Sequence, residues 1–247
     1  MRGERILILG GTRDAREIAS SLVVEGRSVI TSRAGVTESP VLPPGEVRRG
    51  GFGGVAGLAA YLETECISLV VDATHPFAAR MSAQAHEACR LKQVPLLRFE
   101  RPGWTPQADD HWTLVKDIEE AVRLLPSGAR ALVTIGRKEI AAFFARRDIS
   151  GVARMIEPPP GQVPAGWELQ LARPPFTAES EIDLMTRFRI THLVTKNAGG
   201  GATDAKLDAA RQLGLPVIMV RRPDKPGTHV FSSESELAGA LRRVLSP

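Results

Sequence analysis

The stretch of sequence that decides the fold is ILILGGTRDA, residues 6–15. Its apolar part, Ile6–Leu9, is typical of a short buried strand, and two glycines separate it from a segment of helical period. Gly10, Thr12 and Ala15 stand at the spacing of a G-x-G-x-x-A loop, in which Thr12 replaces the middle glycine. A strand, a glycine turn and a helix in this order indicate an α/β unit.

The loop after this strand is a candidate site for a dinucleotide. Backbone amides at a helix N-terminus point toward phosphate oxygens, and glycines let the backbone approach those oxygens closely. The residues expected at the pyrophosphate are Gly10, Gly11, Thr12 and Arg13. The alternative is a plain glycine turn between a strand and a helix, which occurs in many α/β proteins.

Short apolar runs and helical segments continue to alternate along the chain, which predicts parallel sheets flanked by helices. The predicted strands are Ile6–Leu9, Ser28–Ser32, Glu46–Arg49, Ser68–Val71, Pro95–Phe99, Ala131–Ile135, Ala153–Ile156, Glu168–Leu171, His192–Thr195 and Val217–Val220. The predicted helices are Asp14–Glu25, Val55–Glu65, Ala78–Leu91, Lys138–Ala145, Glu179–Phe188, Ala205–Leu213 and Glu234–Leu245.

The two parts of this series resemble each other. In residues 8–19 and again in residues 133–141, an apolar strand ends at glycine beside basic residues and a helix follows. We therefore expect an α/β protein of two Rossmann-like parallel-sheet halves with a cleft between them. The expected dinucleotide-binding domain covers residues 1–120, and a second α/β domain that contributes the substrate cleft covers residues 121–247.

Composition is that of an ordinary globular protein. Of the 247 residues, 43% are hydrophobic and 24% are charged, which excludes a disordered tail protein. The net charge of +4 suits an anionic ligand but is too small for a nucleic-acid-binding surface. No apolar run is long enough to span a membrane, and Cys66 and Cys89 form no CxxC pair. We expect a cytoplasmic protein with no metal site and no nucleic-acid or membrane partner.

The second predicted strand ends at Thr31-Ser32-Arg33, about 20 residues after the glycine loop, where a dinucleotide site binds the ribose. An acidic residue here binds a free 2′-hydroxyl, whereas arginine suits a 2′-phosphate. Ser32 and Arg33 therefore favour NADPH over NADH. In the alternative, Arg33 is a solvated surface cation.

The third predicted strand also ends in arginines, Arg48 and Arg49, and a glycine-rich loop follows them. This loop either binds a ligand through its backbone or is a flexible loop without a ligand.

The fourth predicted strand is followed by the polar cluster DATHPFA, residues 72–78, which a doubly wound sheet places beside the first loop. Thr74 is a candidate contact for the nicotinamide end of the cofactor, and His75 is a candidate proton donor. In the structural alternative, Asp72 or Thr74 caps the next helix and His75 is a partly buried structural residue.

Basic residues recur at the strand ends of the second half, where parallel sheets bind their ligands. This placement predicts a pocket for a ligand that has several carboxylates or phosphates. The candidates to bind these groups are Arg16, Arg137, Lys196 and Lys206. Asp204 is either a catalytic carboxyl group or the cap of the helix that follows it.

Missing motifs exclude several enzyme classes. The single tyrosine, Tyr61, has Glu65 four residues later, so the Tyr-x-x-x-Lys of short-chain dehydrogenases is absent. The motifs GxxxxGK[ST], GxSxG and HExxH are absent too, which excludes P-loop, α/β-hydrolase and zincin chemistry.

Several segments of the chain resemble the precorrin-6A reductases of cobalamin biosynthesis. The resemblance rests on ILGGTRDAR (8–16), DATHPFA (72–78), RFERP (98–102), KNAGG (196–200) and TDAK (203–206), and it spans nearly the whole chain. The segment DATHPFA is a more specific sign of this family than the glycine loop, which many α/β proteins share. The third glycine in the run at 199–201 and the proline-rich residues 158–164 depart from the family pattern.

The resemblance implies an enzyme that uses NADPH to reduce one C=C bond of precorrin-6A, at C18–C19 of the macrocycle. It also implies that the amino-terminal half binds NADPH and that the cleft binds the macrocycle, whose carboxylates suit the basic strand ends. Neighbouring pathway enzymes are further candidate partners. The source of the proton stays open between His75, Asp204 and water.

Other functions are compatible with the same residues. One is an NADPH-dependent reductase of another polyanionic small molecule, and another is a non-catalytic module that binds a tetrapyrrole or a dinucleotide. A methyltransferase is disfavoured, because Arg33 stands where an acidic residue would bind the ribose of the methyl donor. A structural protein would leave the glycine loops and the basic strand ends without a role.

Overall fold

The computed structural model describes residues 5–33 and 42–245. Its strands are β1 (Arg5–Leu9), β2 (Ser28–Arg33), β3 (Glu46–Arg49), β4 (Ile67–Asp72), β5 (Leu96–Phe99), β6 (Trp112–Val115), β7 (Arg130–Thr134), β8 (Ser150–Met155), β9 (Trp167–Leu171), β10 (His192–Lys196), β11 (Val217–Val220) and β12 (His229–Phe231). Its helices are α1 (Arg13–Val24), α2 (Gly54–Thr64), α3 (Ala79–Lys92), α4 (Ile118–Leu124), α5 (Ala141–Phe144), α6 (Ala178–Arg187), α7 (Ala205–Gln212) and α8 (Glu234–Leu245).

These strands form two six-stranded sheets in which all the pairings are parallel. The first sheet has the order β12-β5-β4-β1-β2-β3 and the second has the order β6-β11-β10-β7-β8-β9. The consecutive strands of each sheet, β1–β5 and β7–β11, have the doubly wound order 5-4-1-2-3, and β12 or β6 adds a sixth strand beside the fifth. The two Rossmann-like parallel-sheet halves expected from the sequence are confirmed.

The two sheets exchange one edge strand each: β6 is the edge strand beside β11, and β12 is the edge strand beside β5. β6 follows β5 along the chain but pairs with β11, and β12 follows β11 but pairs with β5. The chain accordingly divides into a first unit, Met1–Pro102 with Pro223–Pro247, and a second unit, Gly103–Arg222. This division differs from the expected boundary between residues 120 and 121, because β6 belongs to the second sheet and the last segment of the chain returns to the first.

Three elements were not expected from the sequence pattern: β6, β12 and α4. β6 and β12 are short edge strands, and their side chains Leu114 and Val230 are 47% and 53% exposed. A strand at an edge needs little apolar surface, so hydrophobic periodicity marks it weakly. The helix expected over Lys138–Ala145 is shorter in the structure, because residues 138–140 form a turn.

The first sheet is covered on both faces, so its central strands are apolar on both sides. Ile6 and Ile8 pack with α1 and α8, whereas Leu7 and Leu9 pack with α2 and α3. This alternation follows from the two-residue repeat of a strand, and it assigns each residue at a strand end to one face. In the second unit, α6 and α7 pack on β7, β10 and β11.

Within residues 5–33 and 42–245, no helix is both long enough and apolar enough to cross a lipid bilayer.

Candidate functional site

The loop after β1 is bonded to both strands that neighbour β1. The amide of Gly10 donates a hydrogen bond to the carbonyl of Ser32 at 2.9 Å, beside β2. The Thr12 hydroxyl donates to the carbonyl of Ala73 at 2.8 Å, beyond β4, and accepts from the amide of Ala15 at 3.0 Å as the N-cap of α1. Thr12 therefore has a structural use for its hydroxyl, which explains why threonine replaces the middle glycine of the motif.

Gly10 and Gly11 differ in their surroundings. A Cβ at Gly10 would lie 3.0 Å from Thr31 Cγ2 and 3.2 Å from Ala15 Cβ, so the close packing of strand and helix requires glycine there. Gly11 has a φ of +108°, and no other atom lies within 4 Å of where its Cβ would be. An open backbone surface directly before a helix N-terminus fits a pyrophosphate group. Arg13 follows on the exposed side of α1, where it pairs with Glu17 at 2.7 Å.

Ser32 and Arg33 end β2 and project to opposite faces of the sheet. The Ser32 hydroxyl accepts a hydrogen bond from Arg48 Nη1 at 3.3 Å. Burial, together with the positive charges of Arg49 and Arg16, lowers the pKa of Arg33. A partly buried guanidinium among like charges is a suitable place for an anion, because an anion offsets their mutual repulsion.

A buried ion pair lies under the loop that follows β4. Arg98 Nε donates to Asp72 Oδ2 at 3.2 Å, and the two side chains are 3% and 1% exposed. The other oxygen, Asp72 Oδ1, accepts from the Thr74 hydroxyl at 2.6 Å and from the Thr74 amide at 3.2 Å. Asp72 and Thr74 therefore hold the loop and do not cap the next helix, whose N-cap, Ala78, accepts no side-chain hydrogen bond. The capping alternative is wrong.

His75 is exposed in the same loop, so the alternative of a partly buried structural histidine is also wrong. Its Nδ1 accepts a hydrogen bond from the amide of Phe77 at 3.2 Å. In the neutral imidazole, an acceptor Nδ1 leaves the proton on Nε2. In this tautomer His75 presents an N–H hydrogen-bond donor at Nε2, and it becomes a proton donor when the ring is protonated to the imidazolium.

In the second unit, two of the expected substrate cations are paired with carboxylates. Arg137 follows β7 and pairs with Glu157 at 3.3 Å, and Lys196 ends β10 and pairs with Glu139 at 2.6 Å. β7 and β10 are neighbours in the sheet, so both cations belong to the same carboxyl edge. Each cation is thus already arranged to hold a carboxylate group.

Lys206 differs from these two because its side chain is buried. It is 4% exposed, its ammonium donates to the carbonyl of Thr203, and Nζ lies 4.5 Å from the centroid of the Trp104 ring. Burial, with a smaller effect from the charge of Arg154, lowers the pKa of Lys206 to about 7, although Asp204 and Glu181 oppose the shift. Lys206 lies beneath the loop between β10 and α7, not on its surface.

Trp104 is a residue of this region that the sequence analysis left in an unassigned loop. Its amide donates to Asn197 Oδ1 at 2.8 Å, its indole donates to the carbonyl of Gly200 at 3.1 Å, and its carbonyl accepts from Asn197 Nδ2 at 2.9 Å. Trp104 lies in a proline- and glycine-rich segment that has no hydrophobic periodicity, so periodicity could not identify it. The only sequence signal related to it is the KNAGG motif, which contains its hydrogen-bond partners Asn197 and Gly200. Asp204 takes the N-cap position of α7 but its side chain makes no capping hydrogen bond, so the alternative that it caps this helix is wrong.

The two units divide the candidate residues between them. The residues at strand ends of the first unit are Gly10, Gly11, Thr12, Arg13, Ser32, Arg33, Thr74 and His75. The second unit contains Arg137, Lys196, Asp204 and Lys206. Arg16 is in the first unit, whereas the other three cations with which it was grouped are in the second. Among the described residues, no three His, Cys, Asp or Glu side chains come together as metal ligands would.

Comparison with known proteins extends this picture. The family model for precorrin-6x reductase CbiJ/CobK matches residues 5–242. A precorrin-6A reductase from Rhodococcus erythropolis is 45% identical over 242 residues, which is 97% of each chain. One from Rhodobacter capsulatus is 45% identical over 239 residues, 96% of this chain and 95% of its own. A solved structure described as CobK precorrin-6A reductase has a TM-score of 0.93 at 44% identity and covers 98% of this chain and 97% of its own.

Proposed function

Because the chain belongs to the precorrin-6x reductase family, an oxidoreductase family of cobalamin biosynthesis, we propose that it uses NADPH to reduce the C18–C19 double bond of precorrin-6A. The observation that most supports NADPH is the end of β2, where Arg33 lies directly opposite Arg49 of β3. A 2′-phosphate is the group of NADPH that would meet arginines at this place. We also propose a cytoplasmic location and neighbouring pathway enzymes as partners, because the reaction draws on NADPH and on another enzyme's product.

The residues of the first unit bind and orient the cofactor in this proposal. The backbone from Gly10 to Arg13 binds the pyrophosphate, Ser32 and Arg33 bind at the 2′-phosphate, and Thr74 lies beside the nicotinamide. Bound NADPH supplies the hydride. Thr74 is suited to a positioning role because Asp72 already holds both its amide and its hydroxyl.

We propose that cations of the second unit bind the carboxylates of the macrocycle. Arg137 and Lys196 would exchange Glu157 and Glu139 for carboxylates of the substrate. Lys206, which is buried, would act by holding the loop and Trp104 in place. Arg16 belongs to α1 in the first unit, as the proposed cofactor residues do, and this proposal reassigns it from substrate to cofactor.

His75 is the proposed proton donor for the second ring carbon. It is exposed at the carboxyl edge of the first sheet, and its imidazolium form would release the proton, whereas the charge of Asp204 acts on the buried Lys206. Proton transfer from a group placed in this way adds to the rate without any covalent intermediate on the protein.

The deciding experiment is anaerobic incubation with precorrin-6A and with NADPH deuterated at one face of C4 and then at the other. The expected product is two hydrogens heavier than the substrate and contains one deuterium from only one of the two cofactors. Tight NADPH binding without turnover would instead indicate a reductase of another polyanion. Binding of the tetrapyrrole without any NADPH consumption would indicate a non-catalytic module.

A further inference from the structure

The segment RFERP, residues 98–102, contains three charged side chains, and each of them pairs with a different part of the first unit. The pairs are Arg98 with Asp72, Glu100 with Lys225 and Arg101 with Asp14. The first pair lies at the end of β4, and the second fixes the chain that leads to β12. The third pair reaches the glycine loop after β1, because Asp14 belongs to the first turn of α1.

Arg101 reaches α1 from the end of β5. Leu97 and Phe99 of β5 pack in the same core cluster as Ile18 of α1, so this face of β5 is the one that α1 covers. Arg101 follows Phe99 by two residues, and its Nη1 donates to Asp14 Oδ2. The two side chains are only 19% and 20% exposed, so water and salt screen this pair less than a pair on the open surface.

Asp14 has two opposite effects at its position. A carboxylate in the first turn stabilises a helix, because the unpaired backbone N–H groups there carry partial positive charge. Side chains of a helix lean toward its N-terminus, so the Asp14 carboxylate leans toward the loop that contains Gly11 and Thr12. The open backbone at Gly11 is the proposed pyrophosphate site, and two anions beside one helix N-terminus repel each other.

Arg101 removes this conflict, whereas the cation nearest in sequence does not. Arg13 precedes Asp14 directly, but its side chain is exposed and its Nε donates to Glu17 at 2.7 Å. The guanidinium of Arg101 instead bonds to the Asp14 carboxylate itself. A neutralised Asp14 keeps its place in the first turn of α1 without repelling a second anion at the helix end.

We propose that Arg101 is a positioning residue for the pyrophosphate of the cofactor, which acts through Asp14 and does not itself contact the cofactor. This role rests on the proposed function and deepens it, because it gives the RFERP segment a part in cofactor binding. NADPH and NADH have the same pyrophosphate, so loss of Arg101 affects both cofactors to a similar degree.

The test is a double-mutant cycle in which calorimetry measures the binding of NADPH and of NADH, without any turnover. Arg101→Gln should weaken both cofactors by about fivefold, because it leaves the Asp14 carboxylate without its counter-charge. Asp14→Asn should weaken neither cofactor. The double variant Asp14→Asn/Arg101→Gln should return both affinities to within about twofold of the wild type, because no unpaired carboxylate remains.

Two further measurements separate electrostatics from a structural effect. Arg101→Lys should keep most of the affinity, because it retains the positive charge. The loss in Arg101→Gln should shrink at about 1 M salt, where the screening length is about 3 Å. Arg90→Gln is the matched control: it leaves Glu87 of α3 without its partner, and it should change neither affinity.

A double variant as weak as Arg101→Gln would overturn the inference, because Arg101 would then contact the cofactor directly. A loss in Asp14→Asn equal to that in Arg101→Gln would also overturn it, because the pair would then only hold the loop. Unchanged affinities in Arg101→Gln, or equal losses in Arg90→Gln, would overturn the role of Arg101 alone. A wild type that binds neither cofactor would overturn the proposed function as well.

Discussion

The ammonium of Lys206 lies 4.5 Å from the centre of the Trp104 ring and is almost completely shielded from water. A charged ammonium over an indole face is attracted to it, whereas a neutral amine loses most of that attraction. Since burial lowers the pKa of Lys206 to about 7, this contact changes strength near neutral pH. The residue is therefore a source of pH dependence in the second unit.

The lowered pKa of Lys206 predicts how the free energy of unfolding varies with pH. In the unfolded chain its pKa returns to about 10.4, so between about pH 7 and pH 10 the unfolded state binds more protons than the folded state. The free energy of unfolding should therefore rise with pH in this window, by up to about 1.4 kcal/mol per pH unit. Urea unfolding of the wild type and of Lys206→Met at several pH values measures the difference, and parallel curves would contradict the prediction.

The buried pair of Asp72 and Arg98 predicts a large loss of stability when one partner is neutralised. Asp72→Asn leaves the guanidinium of Arg98 buried without its counter-charge, which should cost about 3–5 kcal/mol in the free energy of unfolding. Chemical denaturation measures this cost. The exposed pair of Glu87 and Arg90 is the control, and Glu87→Gln should leave the unfolding midpoint nearly unchanged. Similar effects of the two substitutions would be inconsistent with the burial argument.

Gly10 and Gly11 should respond differently to alanine. Gly10→Ala places a methyl group 3.0 Å from Thr31 Cγ2 and should destabilise the fold by about 1–3 kcal/mol through overpacking. Gly11→Ala meets no atom but strains a φ of +108°, and its methyl group enters the space proposed for the pyrophosphate. We expect Gly11→Ala to lose more NADPH affinity than stability, as measured by calorimetry and thermal unfolding. The reverse order would remove the loop from the proposed cofactor site.

His75 predicts a selective effect on the chemical step. His75→Ala should lower the single-turnover rate of precorrin-6A reduction by about 100-fold while NADPH affinity stays the same, because the side chain would donate a proton and not hold the cofactor. Added imidazole should restore part of the rate. Asp204→Asn is the comparison for the alternative donor. A His75→Ala variant with full turnover would exclude this histidine and leave Asp204 or water as the source.

Substitutions of Lys196 and of Glu139, which form an ion pair, should change the KM for precorrin-6A in opposite directions. If a substrate carboxylate takes the place of Glu139, then Glu139→Gln removes a competitor and should lower the KM for precorrin-6A by about fivefold. Lys196→Met should raise KM by a similar factor, with kcat changed less in both variants. Steady-state kinetics measures both constants, and a rise of KM in Glu139→Gln would show that the glutamate itself supports binding.

Much of the fold could be predicted from local sequence. Runs such as Ile6–Leu9 and Val217–Val220 mark strands because a parallel sheet with helices on both faces buries both sides of each strand. β6 and β12 have no such apolar run. Each is an edge strand with a neighbouring strand on one side only, and residues such as Leu114 and Val230 are exposed. The exchange of these two strands, and with it the division into units, follows from pairings between distant segments.

The sequence by itself determined the order of most strands and helices, the glycine loop after β1 and the chemical types available at each strand end, because these depend on neighbours along the chain. Only the tertiary structure decided which groups meet: Arg33 with Arg49, Asp72 with Arg98, and Lys206 with Trp104. The physical reason is register. Shifting a strand by one residue sends every side chain to the opposite face, and that choice is made by the packing of the whole core.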